Sequence, residues 1–215
     1  MTSPDMTIRD VRVTMLRVPW AADPWLKGAA LGAARDILIC DVETAGGITG
    51  MGYLFLFRPG MKSIAACLDE CIIPRVKGKD ATSIEAIWHE LEFATHATTI
   101  GAITAIALAA IDTALWDLRA KKQKLPLWKL AGGAKERCPL YTTEGGWLHI
   151  ETAALVDDAL QAKAKGFTGS KVKIGRPHVS EDVARLSAVR AAVGDAYEIM
   201  TDCNQGFSVD EAIRR

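Results

Sequence analysis

The chain has 215 residues, of which 49% are hydrophobic and 24% charged, with 26 basic and 26 acidic side chains in exact balance. That length and apolar content suit one large or two smaller soluble domains with sizeable cores. A formal net charge of zero offers no electrostatic grip on nucleic acid or on an anionic membrane, so neither is an expected partner.

The N-terminus "MTSPDMTIRD" has no basic region followed by an apolar stretch, so it does not read as a secretory signal. The five cysteines (40, 67, 71, 138 and 203) are odd in number, and none forms a CxxC pair. They read as reduced thiols of a cytoplasmic protein, not as a disulfide framework or a zinc site.

Strands come first along the chain. Val11, Val13 and Met15 alternate with Arg12 and Thr14, and Pro19 ends the run. "DILICDVET" and "MGYLFLF" flank the turn "AGGITG", which predicts a hairpin whose glycines 46, 47 and 50 supply positive φ angles. The intervening stretch from Trp20 to Ala34 is rich in glycine and alanine and shows no clean period. It is either a buried connector or a mobile apolar flap over a ligand.

Helices follow. Thr82 and Glu85 have the spacing of a capping box, ahead of Ile84, Ile87, Trp88 and Leu91 at helical intervals. "ITAIALAAIDTALWDLRAKKQ" is apolar almost all round in its first half and predicts the central buried helix. Asp112 and Asp117 interrupt its apolar run, which is too short to span a bilayer. Lys121 and Lys122 fall in its last turns, where cations suit the helix dipole.

The pattern changes near Lys135. "CPLYTTE", "GSKVKIG" and "YEIMTDCNQG" read as short strands separated by helices, the second helix capped by Ser180 and carrying Val183, Leu186, Val189 and Val193. Ser208 and Glu211 have capping-box spacing at the start of a third helix. Such βαβαβα alternation predicts parallel strands with crossover helices. The expected division is a 1–134 α+β domain and a 135–215 partial (β/α) barrel. A closed barrel needs roughly 250 residues, and three βα units are visible, so the chain reads as the N-terminal portion of something longer.

In parallel α/β folds, functional groups gather at the C-terminal ends of the strands. One predicted strand ends in Lys171-Val172-Lys173, the next in Asp202-Cys203-Asn204, and Lys173 and Asp202 are 29 positions apart, about one βα unit. If Val172 and Ile174 pack under helices, both lysines face inward, where desolvation and mutual repulsion disfavour their ammonium forms. A lysine in that setting can act as a general base. Asp202 on the neighbouring strand offers a hard oxygen ligand for Mg²⁺. A lysine base beside Mg²⁺ suits abstraction of the proton α to a carboxylate, with the metal stabilising the enediolate. The plainer alternatives are an edge strand protected by lysines and an aspartate that caps the next helix.

"AIALAAIDTALWDLRAKKQKLPLWKLAGG", "KVKIGRPHVSEDVARLSAVRAAVGD" and "IMTDCNQ" together resemble the mandelate racemase/muconate lactonizing enzymes of the enolase superfamily, in particular the mandelate racemase subgroup. The likeness runs from Ile8 onward. It implies an α+β capping domain followed by the first part of a modified TIM barrel. By that resemblance Lys173 matches the proton-abstracting base and Lys171 its partner near the substrate carboxylate. Asp202 matches the first of three Mg²⁺ ligands. Asn204, and more loosely Tyr141 and Thr143, match substrate-contacting positions, and the stretch from Trp20 to Ala34 matches the loop that closes over substrate. The other two carboxylates and a His–Asp dyad belong to later strands in the family. His89, His96, His149 and His178 do not match that dyad.

The resemblance implies Mg²⁺-dependent dehydration of an acid sugar by the complete protein, a small carboxylate as substrate and a homo-oligomeric assembly. Racemisation or epimerisation of a 2-hydroxy acid shares the first half-reaction and is the alternative. A reading of another class is an inactive truncated chain that serves only in association.

Overall fold

The computed structural model describes residues 4–19, 34–56, 60–98 and 101–215. The chain divides into two compact units at the Ala134–Lys135 junction. The stretch from Trp20 onward that the sequence reads as a connector or flap lies, Ala34 apart, outside the described residues.

In the first unit β1 (Ile8–Pro19), β2 (Ala34–Thr44) and β3 (Thr49–Leu56) form an antiparallel sheet in that order. Leu38, Cys40 and Val42 alternate on β2 and are fully buried, which fixes the face that meets the helices. The β2–β3 hairpin closes through Thr44, whose N–H donates to the Ile48 carbonyl at 2.9 Å and whose hydroxyl does so at 3.1 Å.

The three glycines of that region do different work. Of the three, Gly47 alone has positive φ, at +82°, so the expectation of three left-handed positions is corrected. Gly50 and Gly52 lie where α4 (Ala102–Gln123) presses on β3: a Cβ there would fall 2.1 Å from the Ala114 carbonyl oxygen and 2.0 Å from that of Ala110. Helix and sheet can approach this closely only without those side chains. Asp117 and Lys121 of α4 complete the join, accepting from the Met51 N–H at 2.8 Å and donating to the Thr49 carbonyl at 2.9 Å.

The α4 helix is central, with Ala107, Leu108, Ala110, Ile111, Ala114, Leu115 and Leu118 all buried. Ahead of it, α1 (Met61–Cys67) continues through a π-helical turn at Leu68–Ile72 into α2 (Ile73–Val76). Pro74 stands at the start of α2 and has no N–H to give, so the ladder is interrupted where that turn widens. Helix α3 (Ile84–Thr95) buries Ile84, Ile87 and Leu91 as its period predicts. Its N-cap is Ser83, not Thr82. The Thr82 hydroxyl and N–H are instead taken by the Asp80 carboxylate, at 2.8 and 2.9 Å. The short α5 (Leu127–Leu130) ends this unit.

The second unit is a three-stranded parallel sheet, β4 (Tyr141–Thr142), β5 (Gly169–Lys173) and β6 (Glu198–Asp202), in that order. Helices α6 (Thr152–Ala164) and α7 (Val179–Val193) are its crossovers, and α8 (Val209–Arg214) follows β6. Leu155 and Ala159 of α6, Val189 and Val193 of α7, Val172 and Tyr197 make one buried cluster.

Ser180 is inside α7, not at its cap. The N-cap is His178, whose N–H is taken by Glu181 at 2.9 Å. Val183 is 53% exposed, and the buried positions beside it are Asp182 and Arg185. Ser208 does cap α8, accepting from the Glu211 N–H at 3.3 Å. Among the described residues no helix is long and apolar enough to cross a membrane.

Candidate active site

The strand β5 has one apolar side and one charged side. Val172 is fully buried among α6 and α7, so the period of two sends Lys171 and Lys173 to the opposite face. The parallel register pairs Lys171 with Met200 and Lys173 with Asp202, which puts the charged groups of neighbouring strands on one face. Lys173 Nζ donates to Asp202 Oδ2 at 2.6 Å, and Lys171 Nζ lies 3.2 Å from the same oxygen.

Both partners are withdrawn from water. The Lys173 side chain is 12% exposed and that of Asp202 28%. Asp202 Oδ1 accepts the N–H of Asn204 at 2.7 Å, so the carboxylate is held on both oxygens. Lys173, the Asn204 N–H and Lys171 together outweigh the cost of burial and hold the Asp202 carboxyl well below the usual carboxylate range. The two ammonium groups that repel each other thus share one anion. Closing that turn requires left-handed backbone at Asn204 (φ 49°) and Gln205 (φ 60°), conformations that asparagine tolerates and glutamine seldom adopts.

The chain beyond each strand is also tied. The Ile174 N–H reaches the Asp202 carbonyl at 3.1 Å, extending the ladder one step. The N–H groups of Gly175 and Arg176 are taken by the buried Asp182 of α7, at 2.9 and 3.2 Å. A buried carboxylate therefore fixes the turn that leaves Lys173.

Of the residues singled out from sequence, Lys171, Lys173 and Asp202 are brought together, and Asn204 joins them through its backbone. Tyr141 is on the same face but pairs with Gly169, at the far end of β5, and is 47% exposed. Thr143 follows β4 and is exposed. The residue beside the top of β5 is instead Gly146, whose carbonyl accepts the Lys173 N–H at 2.7 Å. Trp147 follows it and lays its ring toward Lys173 Nζ, 5.6 Å from the centroid. The sequence signal was the pair of glycines before a tryptophan in "TEGGWLH".

As a cation site the arrangement is incomplete. Asp202 has the right donor chemistry for a hard divalent ion: an ionised oxygen at a strand end. Among the described residues, however, no group of three or more histidine, cysteine, aspartate or glutamate side chains converges to hold one. Asp202 fits as one ligand of such a centre and not as the centre.

With the geometry established, comparison with known proteins identifies the lineage. The description "Mandelate racemase / muconate lactonizing enzyme, N-terminal domain" matches residues 10–132, and "Enolase C-terminal domain-like" matches residues 154–215. The chain belongs to the mandelate racemase/muconate lactonizing enzyme family. It is 36% identical over 210 residues to the 3,6-anhydro-alpha-L-galactonate cycloisomerase of Streptomyces coelicolor, covering 96% of this chain and 57% of that protein. It is 34% identical over 178 residues to the L-talarate/galactarate dehydratase of Salmonella typhimurium, covering 83% and 44%.

The fold agrees with a solved structure of an L-talarate dehydratase from Polaromonas sp. JS666, complexed with Mg and L-glucarate. The TM-score is 0.82 at 33% identity, over 97% of this chain and 55% of that one. The chain thus spans about half the length of the relatives it matches. What it holds of the mandelate racemase/muconate lactonizing enzyme architecture is the α+β capping domain and the first barrel strands.

Proposed function

We propose that the complete protein is an Mg²⁺-dependent acid-sugar dehydratase whose first step removes the proton α to a carboxylate. The observation that carries this is the pairing of Lys173 with Asp202 at the C-terminal ends of adjacent parallel strands, with Lys171 on the same oxygen. The dehydratase relative, and the related structure that holds Mg and L-glucarate, supply the reaction class and the substrate class.

In this reading Lys173 Nζ takes the α-proton, and the electron pair stays on the substrate. Lys171 Nζ lies beside the substrate carboxylate and, with Asp202, keeps the base on the inner face of the strand. Asn204, on the turn whose N–H donates to Asp202, borders the substrate. Asp202 contributes one ligand to Mg²⁺, which when bound neutralises negative charge developing on the substrate carboxylate. Departure of the β-hydroxyl as water then consumes a second proton, from an acid that the family resemblance assigns to later strands.

The cycloisomerase relative favours a second reading, in which the same abstraction leads to ring rearrangement instead of loss of water. One experiment tests both. The complete protein is incubated with Mg²⁺ in D₂O with a panel of acid sugars, galactarate and L-glucarate included. Exchange of the α-proton is followed by NMR, and loss of water by mass spectrometry. Exchange with water loss is the expected result. Exchange with isomerisation alone establishes the second reading, and Lys173→Ala exchanging at the wild-type rate removes lysine from the role of base.

A further inference from the structure

The segment Gly145–Ile150 is fixed from three sides. Gly146 gives its carbonyl to the Lys173 N–H, and a Cβ on Gly146 would fall 2.0 Å from the Lys171 carbonyl oxygen, so the segment lies directly on β5. Gly145 is pressed against Asp158 of α6, whose carboxylate accepts its N–H; a Cβ there would meet Asp158 Cγ at 2.1 Å. Arg185 of α7, 4% exposed, donates to the carbonyls of Trp147, at 3.1 Å, and of Ile150.

Burying a guanidinium costs free energy, and here its charge goes to two main-chain carbonyls of one turn. Nothing in the packing of β5 requires that outlay, since Val172 already seats the strand on its helices. What the tethering does fix is the position of Trp147. Its half-buried ring faces Lys173 Nζ, 5.6 Å from the centroid. An indole face attracts a cation and shields it from water.

We infer that Trp147 is a positioning residue for Lys173: its ring and Asp202 together confine the lysine Nζ to the place where the substrate α-carbon is met. This rests on the reading of Lys173 as the base. A base displaced by about 1 Å can lose on the order of 100-fold in rate without any change in binding. Part of that loss is therefore expected when the ring is removed.

The test uses Trp147→Leu and Trp147→Phe, with two readouts. In the complete protein, Trp147→Leu lowers kcat for α-proton exchange about tenfold with KM altered less than about twofold, while Trp147→Phe stays within about threefold of wild type. In the 215-residue chain, ¹³C-lysine NMR, assigned through Lys173→Arg, shows the Lys173 ε-methylene shifted upfield by the ring. That shift disappears in Trp147→Leu and persists in Trp147→Phe.

Unchanged kinetics in Trp147→Leu, an effect on KM alone, or equal impairment in Trp147→Phe each overturn the inference while leaving the function standing. If the wild-type protein exchanges no substrate, the functional reading falls instead. The ring-current shift is read independently of turnover: present, it supports the placement of the ring over Lys173, and absent, it overturns the inference.

Discussion

Lys173 and Asp202 are register partners on adjacent parallel strands, and their side chains meet at 2.6 Å on the face that Val172 does not occupy. The contact follows from two independent periods. Alternation along β5 selects the face, and the ladder with β6 selects the level. Neither residue would find the other if the register slipped by one, since every side chain would change face.

Asp202→Asn leaves two neighbouring ammonium groups, 12% and 26% exposed, without their shared anion. The expected loss of stability is about 1–2 kcal/mol, between the values for exposed and buried pairs. Adding Lys173→Met should restore much of it, because the repulsion is removed along with the partner. Urea denaturation of both variants decides this, and an Asp202→Asn chain as stable as wild type would contradict the shared-anion account.

Glycines of the capping domain should separate by cause. Gly52→Ala pushes a methyl to 2.0 Å from the Ala110 carbonyl and forces α4 off β3, at a cost of roughly 2 kcal/mol or more. Gly47→Ala meets nothing within 4 Å and suffers only its φ of +82°, a cost of about 1 kcal/mol. The order of the two thermal midpoints checks this, and the reverse order would show that α4 can give way.

The Glu211 carboxyl is pulled from its usual 4.5 to about 2, first by Arg214 and then by Arg215. A lowered carboxylate contributes stability that is complete above the unfolded value and is lost as pH falls through the folded one. The contribution of this group is therefore expected to be flat above pH 4.5 and to vanish between there and about pH 2. Side-chain ¹³C titration should give a midpoint near the lower value. A midpoint at 4.5 would mean that the arginines are disengaged in solution.

The 215-residue chain is expected to take up no Mg²⁺ saturably at concentrations on the order of 1 mM, because one carboxylate is a poor cage for an ion that demands near-octahedral oxygen coordination. For the same reason it should not exchange the α-proton of any acid sugar. Isothermal titration and the D₂O assay check the two statements, and tight binding would require ligands outside the described residues.

Much of the fold is legible in the residues because burial imposes local periods. The hairpin of β2 and β3, the central α4 and the β-α alternation after Lys135 all follow from apolar spacing and turn chemistry. Caps were less legible. Thr82 and Ser180 have the right chemistry one or two positions from the true N-caps, Ser83 and His178, and the local hydrogen bonds of Asp80 and Glu181 decide between them. On α7 the stripe holds at Leu186, Val189 and Val193 and fails at Val183 for a tertiary reason: Asp182 and Arg185 are buried because they bond the loops after β5 and β4, while Val183 is left in water.

The sequence by itself determined that Lys171 and Lys173 share a face and that Asp202 ends the next strand, since both depend only on alternation and element order. Tertiary structure decided that the two lysines converge on one carboxylate oxygen, and that Gly146 rather than Thr143 stands beside Lys173. It also decided that Trp147 lies over the base. Those facts depend on strand register and on the turning path of the segment after β4. Both are set by packing between residues far apart in the chain, which no local period encodes.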